Sequence, residues 1–351
     1  MNKNVGARGE AMATSRKRSA PVKLEEVALA AGVSPSTVSR ILNGTAEVSE
    51  LKKKAVGDAI ARLGFVPNPV ARGLAGGRTL SIGVITQAID SPFYGAALNG
   101  IEDQLDPAGY CPLFVSGRWD AVVEARCISI LLARRVDGII VLTGRLSDQA
   151  LKACARVVPT VVTGRSLKSP GLFSLNFDNF EGGRLATAHL IELGHRHIAF
   201  VTGEQDHPDA NERLRGYRAA IDAAGIAFKP KLVIKGAFSE ASGLEAVDKL
   251  ITGGAPFTAL FAANDQMAHG AMLGLHRHSL RVPGNVSVIG FDDLPISVYA
   301  VPPLSTIHQP AYELGGLAAA AMLQLLAGEK PSIKLLPPRL IVRESTHRLG
   351  S

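Results

Sequence analysis

Cysteine is scarce in this chain of 351 residues: Cys111, Cys127 and Cys154 are odd in number and none stand in a CxxC pair. That argues against a disulfide framework or a zinc site and favours a reducing compartment. Long apolar runs are missing as well, none approaching the roughly 18 residues of a membrane span, and the N-terminus lacks the apolar core of a signal peptide. The expected location is the cytoplasm, with no membrane partner. Neither GxGxxG nor GxxxxGK followed by Ser or Thr occurs, so nothing points to a dinucleotide or nucleoside triphosphate. His195 and His197 in GHRH have no Ser or Cys placed near them as a nucleophile, and a lone Asp292-Asp293 pair is too little for a cation. No catalytic residue, metal or cofactor is therefore expected, and the single tryptophan, Trp119, has no evident role.

What is present is a soluble composition, 46% hydrophobic and 20% charged, in a length that suits two or three domains. The net charge of +7 is unevenly placed. Residues 1–78 hold 13 Lys+Arg against 6 Asp+Glu, whereas the rest balances at 25 against 25. Such an excess at one end suits contact with phosphates. Part of it belongs to residues 1–21, a basic stretch without apolar periodicity that reads as disordered and leaves both Met1 and Met12 open as the start.

The basic end contains LEEVALAAGVSPSTVSRILN, residues 24–43. Leu24, Val27, Ala28 and Ala31 form an apolar stripe at helical spacing, and Gly32 stands where a left-handed turn would end that helix. Ser34 and Pro35 suit the start of a second helix, with Val38, Ile41 and Leu42 buried. Its other face carries Ser36, Thr37, Ser39, Arg40 and Asn43, which are polar and never acidic. Two helices around a tight turn are an ordinary helical hairpin or, with this polar face, a helix-turn-helix that fits a DNA major groove. Ser49 can cap a third helix whose Leu51, Ala55, Ala59, Ile60 and Leu63 would close the core. Lys52, Lys53 and Lys54 at its start fit either a solvated face or phosphate contact. In FVPNPVARGLAGGRT, Pro67 and Pro69 stop that helix and Asn68 can cap a short one reaching Leu74. Gly73 costs such a helix roughly 1 kcal/mol, so it is marginal alone.

From Leu80 apolar runs alternate with helix-length segments: LSIGVI, CPLFVS, DGIIVLT and PTVVTG, then HIAFVTG, KLVI, FTALFAAN and VSVIGFDD. Two sets mean two doubly wound parallel sheets, with a ligand expected beyond the strand ends in a cleft between the lobes. A helix near 310–327 and the strand LLPPRLIV return the chain toward both lobes.

The chain resembles the lactose/galactose-repressor (LacI/GalR) family of bacterial transcription regulators. Six motifs in the family's order carry the resemblance: VKLEEVALAAGVSPSTVSRILN, PNPVARGLAG, ELGHRHIAFVTG, ERLRGY, ANDQMAHGAM and SVIGFDD. It implies an α/β protein with a three-helix helix-turn-helix headpiece and hinge helix, then a two-lobed periplasmic-binding-protein-like domain. The implied boundaries are a tail over 1–21, a DNA-binding domain over 22–67, a hinge over 68–79 and an effector domain over 80–345. Within the last, the first lobe spans about 80–176 plus 306–330 and the second about 177–305 plus 331–345.

By position, the resemblance makes Pro35, Ser36 and Arg40 the base-reading face, arginine being suited to guanine. Thr37, Ser39, Asn43, Ser49 and Asn68 would contact the backbone or steady the turn. Leu74 would be a wedge in the minor groove at the operator centre. Sugar contacts map to Arg213, Asn264, Asp292 and Gln309, with Phe238 stacking on the sugar and Phe93 and Tyr94 facing it from the first lobe. One departure stands out: Gly164-Arg165 replaces an acidic residue of some members. Arg165 fits either an acidic sugar or phosphate, or a structural role. The absence of leucine heptads after Arg343 implies a dimer without a tetramer tail. The implied function is a nucleoid-associated repressor of a carbohydrate-use operon, a homodimer on a pseudo-palindromic operator under control of a sugar-like effector. Whether that effector induces or corepresses stays open. A transport-type sugar-binding protein would lack residues 1–79, and a sugar-acting enzyme would need the nucleophile or metal set that is missing.

Overall fold

The computed structural model describes residues 22–43, 48–65, 78–204 and 207–350. The expected tail, the side chain of Asn43, Asn68, Leu74 and the hinge as far as residue 77 lie outside these. The chain divides into two units between Gly77 and Arg78.

In the first unit, α1 (Leu24–Ala30), α2 (Pro35–Asn43) and α3 (Glu50–Leu63) form a small three-helix body. Gly32, at φ +65°, makes the turn between the first two. Ser34 Oγ accepts from Thr37 N at 3.2 Å and caps α2, which begins at Pro35, where no amide donor is needed. Val27, Ala28, Val38, Val56, Ala59 and Phe65 form the core. Two expectations need correction. Ser49 stands at the N-cap of α3 but its side chain accepts no capping hydrogen bond. Leu51 is 83% exposed, because the buried stripe of α3 runs through Val56, Ala59 and Ile60, and a residue five positions before Val56 points off that stripe.

The second unit contains both sheets. The first orders β2 (Cys111–Ser116), β1 (Ser81–Thr86), β3 (Gly138–Val141), β4 (Thr160–Thr163) and β5 (Leu172–Leu175), all parallel. Its apolar runs are continuous because both faces are covered. Ile82, Val84, Ile140 and Leu142 pack with residues of α4 (Pro92–Leu105) and the returning helix α11 (Ala311–Leu326), whereas Ile85, Ile139 and Val141 pack with α5 (Ala121–Ala133) and α6 (Asp148–Ala155). The second sheet orders β7 (Val233–Lys235), β6 (Ile198–Thr202), β8 (Ala259–Ala262), β9 (Ser287–Asp292), β10 (Ser305–His308) and β11 (Arg339–Ile341). Only β11, the observed part of LLPPRLIV, is antiparallel. Its helices are α7 (Asn179–Glu192), α8 (Pro208–Ala223), α9 (Glu240–Thr252) and α10 (Asp265–Arg277). β5 and β10 escape sequence reading because four residues containing serine or threonine make no apolar run. Since β10 belongs to the second sheet, the chain returns to the first lobe after His308 rather than at 306.

His195 is structural. Its Nδ1 meets the Thr258 hydroxyl at 2.9 Å and its Nε2 the Ser287 hydroxyl at 3.0 Å, while His189 Nε2 meets Thr346 at 3.0 Å. Together these tie the C-terminal segment to the second sheet. Burial holds both imidazoles below their ordinary range, so the folded chain keeps them neutral. A histidine with a depressed folded pKa gives full stability above its unfolded value and loses it as the pH falls. The stability difference between the native chain and His195→Gln should therefore narrow as the pH drops below about 6.5. Denaturant titrations at several pH values measure it, and a pH-independent difference would contradict a neutral His195.

Candidate ligand cleft and nucleic-acid face

Between the two lobes of the second unit lies a cavity of about 310 Å³. Its lining comes from segments that follow the C-terminal ends of strands: Asp90, Phe93 and Tyr94 after β1, Trp119 after β2, and Glu204, His207, Asp209 and Arg213 after β6. Phe238 follows β7, Asn264 follows β8, and Asp292 ends β9. This is where parallel sheets place ligands, because the loops there are free to vary while the strands stay fixed.

Arg213 is the hub. It projects from α8, is 4% exposed, and donates from Nε to Asn179 Oδ1 at 2.9 Å and from Nη2 to Gln309 Oε1 at 2.8 Å. Nη1 donates to the Ala263 carbonyl and lies 3.6 Å from Asp292 Oδ1. The guanidinium also sits 3.7 Å from the centre of the Phe291 ring. The sequence allows this burial because α7 and α8 touch at Gly183 and Gly216, where a Cβ on either would strike the other helix's backbone. Asp209, one turn before Arg213, faces the same way.

Asp292 is 7% exposed, at φ +113°, and Asp293 follows at +61°. Both values lie in the region disfavoured for side-chain-bearing residues. Neighbouring bonds hold this strained corner. Asp293 accepts from Arg343 at 2.6 Å and pairs with His308 at 2.9 Å, while Asp265 accepts from Leu294 N, Ser297 Oγ and Thr306 Oγ1. Burial raises the Asp292 carboxyl well above its usual range, Arg213 opposes this, and Asp265 and Asp209 add to it. Burial raises Asp209 too, against the pull of Arg213.

Aromatic rings cross the cleft from one lobe to the other. Phe93 and Tyr94 meet edge-on at 5.4 Å, Tyr94 and Trp119 lie 6.3 Å apart, Trp119 and His207 4.3 Å, and His207 and Phe238 4.8 Å. Trp119 and Phe238 both sit at positive φ. Gln87 holds the first by accepting from Trp119 N at 3.0 Å, and Asn264 Nδ2 holds the second by donating to the Phe238 carbonyl at 3.1 Å. The pair Arg145–Glu204, at 3.4 Å, also spans the lobes.

The structure thus brings Phe93, Tyr94, Arg213, Phe238, Asn264 and Asp292 to one cavity. Gln309 stands behind it as a partner of Arg213. Arg165 is not in the cavity lining: it donates to the Leu146 and Gly144 carbonyls and pairs with Asp148 at 3.1 Å, bracing the loops after β3 and β4. The physical reason is its position one residue past Gly164 in a left-handed turn, which directs it along its own lobe. Trp119, His207, Asp209, Asp90 and Glu204 are among the lining residues that sequence reading missed. Asp209 was discoverable from its i,i+4 spacing to Arg213, and Trp119 from its place just past a strand.

On α2, Pro35, Ser36 and Arg40 are exposed and Thr37 and Ser39 half-buried. The Ser36 and Thr37 hydroxyls each lie 2.8 Å from Ser34 Oγ. Arg40 has no hydrogen-bond or ion-pair partner among the described residues, which leaves its fork available to a base edge. Lys53 and Lys54 pair with Glu50 and Asp58 on their own helix at 2.7 and 2.9 Å. Such exposed pairs contribute little and yield readily to phosphate.

A helix-turn-helix with a free arginine, followed along the chain by a two-lobed domain with a polar and aromatic cleft, defines a ligand-responsive DNA-binding regulator. Residues 23–68 match the model for bacterial regulatory proteins of the lacI family, and residues 187–346 match a periplasmic binding protein-like domain. The chain is 34% identical over 329 residues to the HTH-type transcriptional repressor PurR of Aliivibrio fischeri, covering 92% of this chain and 97% of that one. A structure of the lac repressor dimer bound to operator and the anti-inducer ONPF superposes with a TM-score of 0.84 at 34% identity, covering 93% and 100% of the two chains. A complex of the regulator CelR with cellobiose gives 0.69 at 35% identity over 92% and 99%. The chain belongs to the lacI family of bacterial regulatory proteins and is a DNA-binding transcriptional regulator. No described helix is long and apolar enough to cross a membrane.

Proposed function

We propose that this protein is a cytoplasmic repressor of carbohydrate-use genes, a homodimer without enzymatic activity whose grip on a pseudo-palindromic operator is set by a small sugar-like effector in the interlobe cleft. The observation that carries the reading is the cavity itself. Buried carboxylates and a guanidinium match adjacent hydroxyls, and the rings of Trp119, Phe238 and Tyr94 match the apolar C–H faces of a sugar. The relatives point the same way, since cellobiose occupies the CelR complex and operator DNA the lac repressor complex. Control follows from a population shift. The effector prefers one lobe arrangement, and moving an equilibrium from mostly bound to mostly free needs a preference of about 5 kcal/mol.

The reading is tested by selecting duplexes from genomic DNA with the full chain. Recovery of a symmetric sequence near sugar-use genes is expected, and recovery of none would contradict it. On such a duplex, Arg40→Ala should cost about 1–3 kcal/mol of discrimination against a changed half-site base. An unchanged preference would reduce Arg40 to a phosphate contact.

A further inference from the structure

The charge balance of the cleft narrows the chemistry of what it binds. Among the described residues lining the cavity, Asp90, Glu204, Asp209 and Asp292 are acidic and only Arg213 is permanently cationic. That cation is already engaged. Of the five N–H groups of a guanidinium, three are taken by Asn179, the Ala263 carbonyl and Gln309, one on each nitrogen, and Asp292 lies 3.6 Å from Nη1 as counter-ion. A carboxylate or phosphate therefore finds every nitrogen of the fork already donating and its charge already countered. Of the arginines outside the lining, Arg145 is committed to Glu204 and Arg165 to Asp148 and two carbonyls, while Arg118, next to Trp119, is exposed to solvent. His207 supplies no positive charge either: burial first, then Arg213 and Arg145, lower its pKa from 6.5 to about 3.

What remains is a wall of acceptors, plus one group that points to a ligand by its own lack. His207 is 6% exposed and lines the cavity, yet its Nδ1 is buried without a hydrogen-bond partner among the described residues. An unpaired buried nitrogen of this kind is costly unless a bound molecule satisfies it. It does so best with a hydroxyl, which both donates and accepts.

We propose that the cleft selects hydroxyl-rich ligands without negative charge, uncharged sugars or amino sugars, and rejects sugar acids and sugar phosphates. The proposal rests on the sugar-effector reading and specifies its chemical class. An anion entering here gives up its water beside Asp209 and Asp292, where burial already disfavours an ionised carboxyl, whereas hydroxyl or ammonium donors bring no negative charge and can be accepted by the carboxyl oxygens.

The test uses the full chain and its only tryptophan, Trp119, as a reporter inside the cleft. Emission is titrated with matched sets built on glucose, galactose and mannose: the free sugar, its 2-amino form, its uronate and its 6-phosphate. In the set that responds, the neutral or amino member should half-saturate at a concentration at least about tenfold below the uronate and phosphate. An acid or phosphate member that binds equally or better would overturn charge selection while leaving the sugar reading intact. Silence from every member would overturn the sugar reading and this proposal with it. Asp90→Lys, at an exposed position on the rim, should narrow the gap between neutral and acidic members several-fold. An unchanged gap would contradict charge as its origin.

Discussion

Replacing Arg213 with methionine is expected to destabilise the second unit by about 3–5 kcal/mol, the cost of breaking a buried ion pair from one side. Methionine fills the space but donates nothing. Asn179 Oδ1, Gln309 Oε1 and the Ala263 carbonyl would each lose their donor, and Phe291 its cation. Asp292 would be left buried without its counter-ion. Its carboxyl is already raised toward neutrality, so protonation would recover part of the loss. Denaturant unfolding measures the change, and a loss below about 1 kcal/mol would show that Arg213 is not the hub of the cleft.

The second large effect is on ligand rather than on stability. Asp292→Asn keeps the shape of the side chain and one acceptor but removes the charge. Hydrogen bonds to a charged group contribute about 1.5–3 kcal/mol each, so effector affinity should fall by roughly 10- to 150-fold. Operator affinity in the absence of effector should change little, because Asp292 lies in the second unit and the DNA-reading helix in the first. Emission from Trp119 and the shift of a labelled duplex report the two properties separately. A variant that responds to effector at the original concentration would remove Asp292 from the site.

Much of this was legible in the residues. The helix-turn-helix follows from Gly32, Ser34 and Pro35, and both sheets from apolar runs too continuous for one-sided strands. Arg213, Asn264 and Asp292 stand in the shared motifs and Phe238 at a position that the resemblance marks, and the four line one cavity. The failures have local causes. Leu51 is apolar and so reads as core, although its angular position on α3 directs it outward. For Arg165 the sequence leaves an anion contact and a structural role equally open, because nothing in it shows that the Leu146 and Gly144 carbonyls point at the guanidinium. The pairing of Trp119 with His207 joins residues 88 positions apart across two lobes, beyond the reach of any periodicity. Strain escapes sequence reading for a similar reason. The positive φ values at Trp119, Phe238 and Asp292 are imposed by tertiary bonds from Gln87, Asn264 and the groups around Asp265 and Asp293, not by the residue types themselves.

One titration addresses the coupling most directly. The affinity of the full chain for its selected duplex is measured across a range of salt concentrations, with and without a sugar at a concentration where Trp119 emission shows the cleft is filled. The expected result is a steep fall of affinity with salt, reflecting phosphate contacts, and a shift of at least about tenfold between empty and filled clefts at every salt concentration. Identical curves for filled and empty protein would contradict the account, because the cleft would then bind its ligand without informing the DNA-reading face.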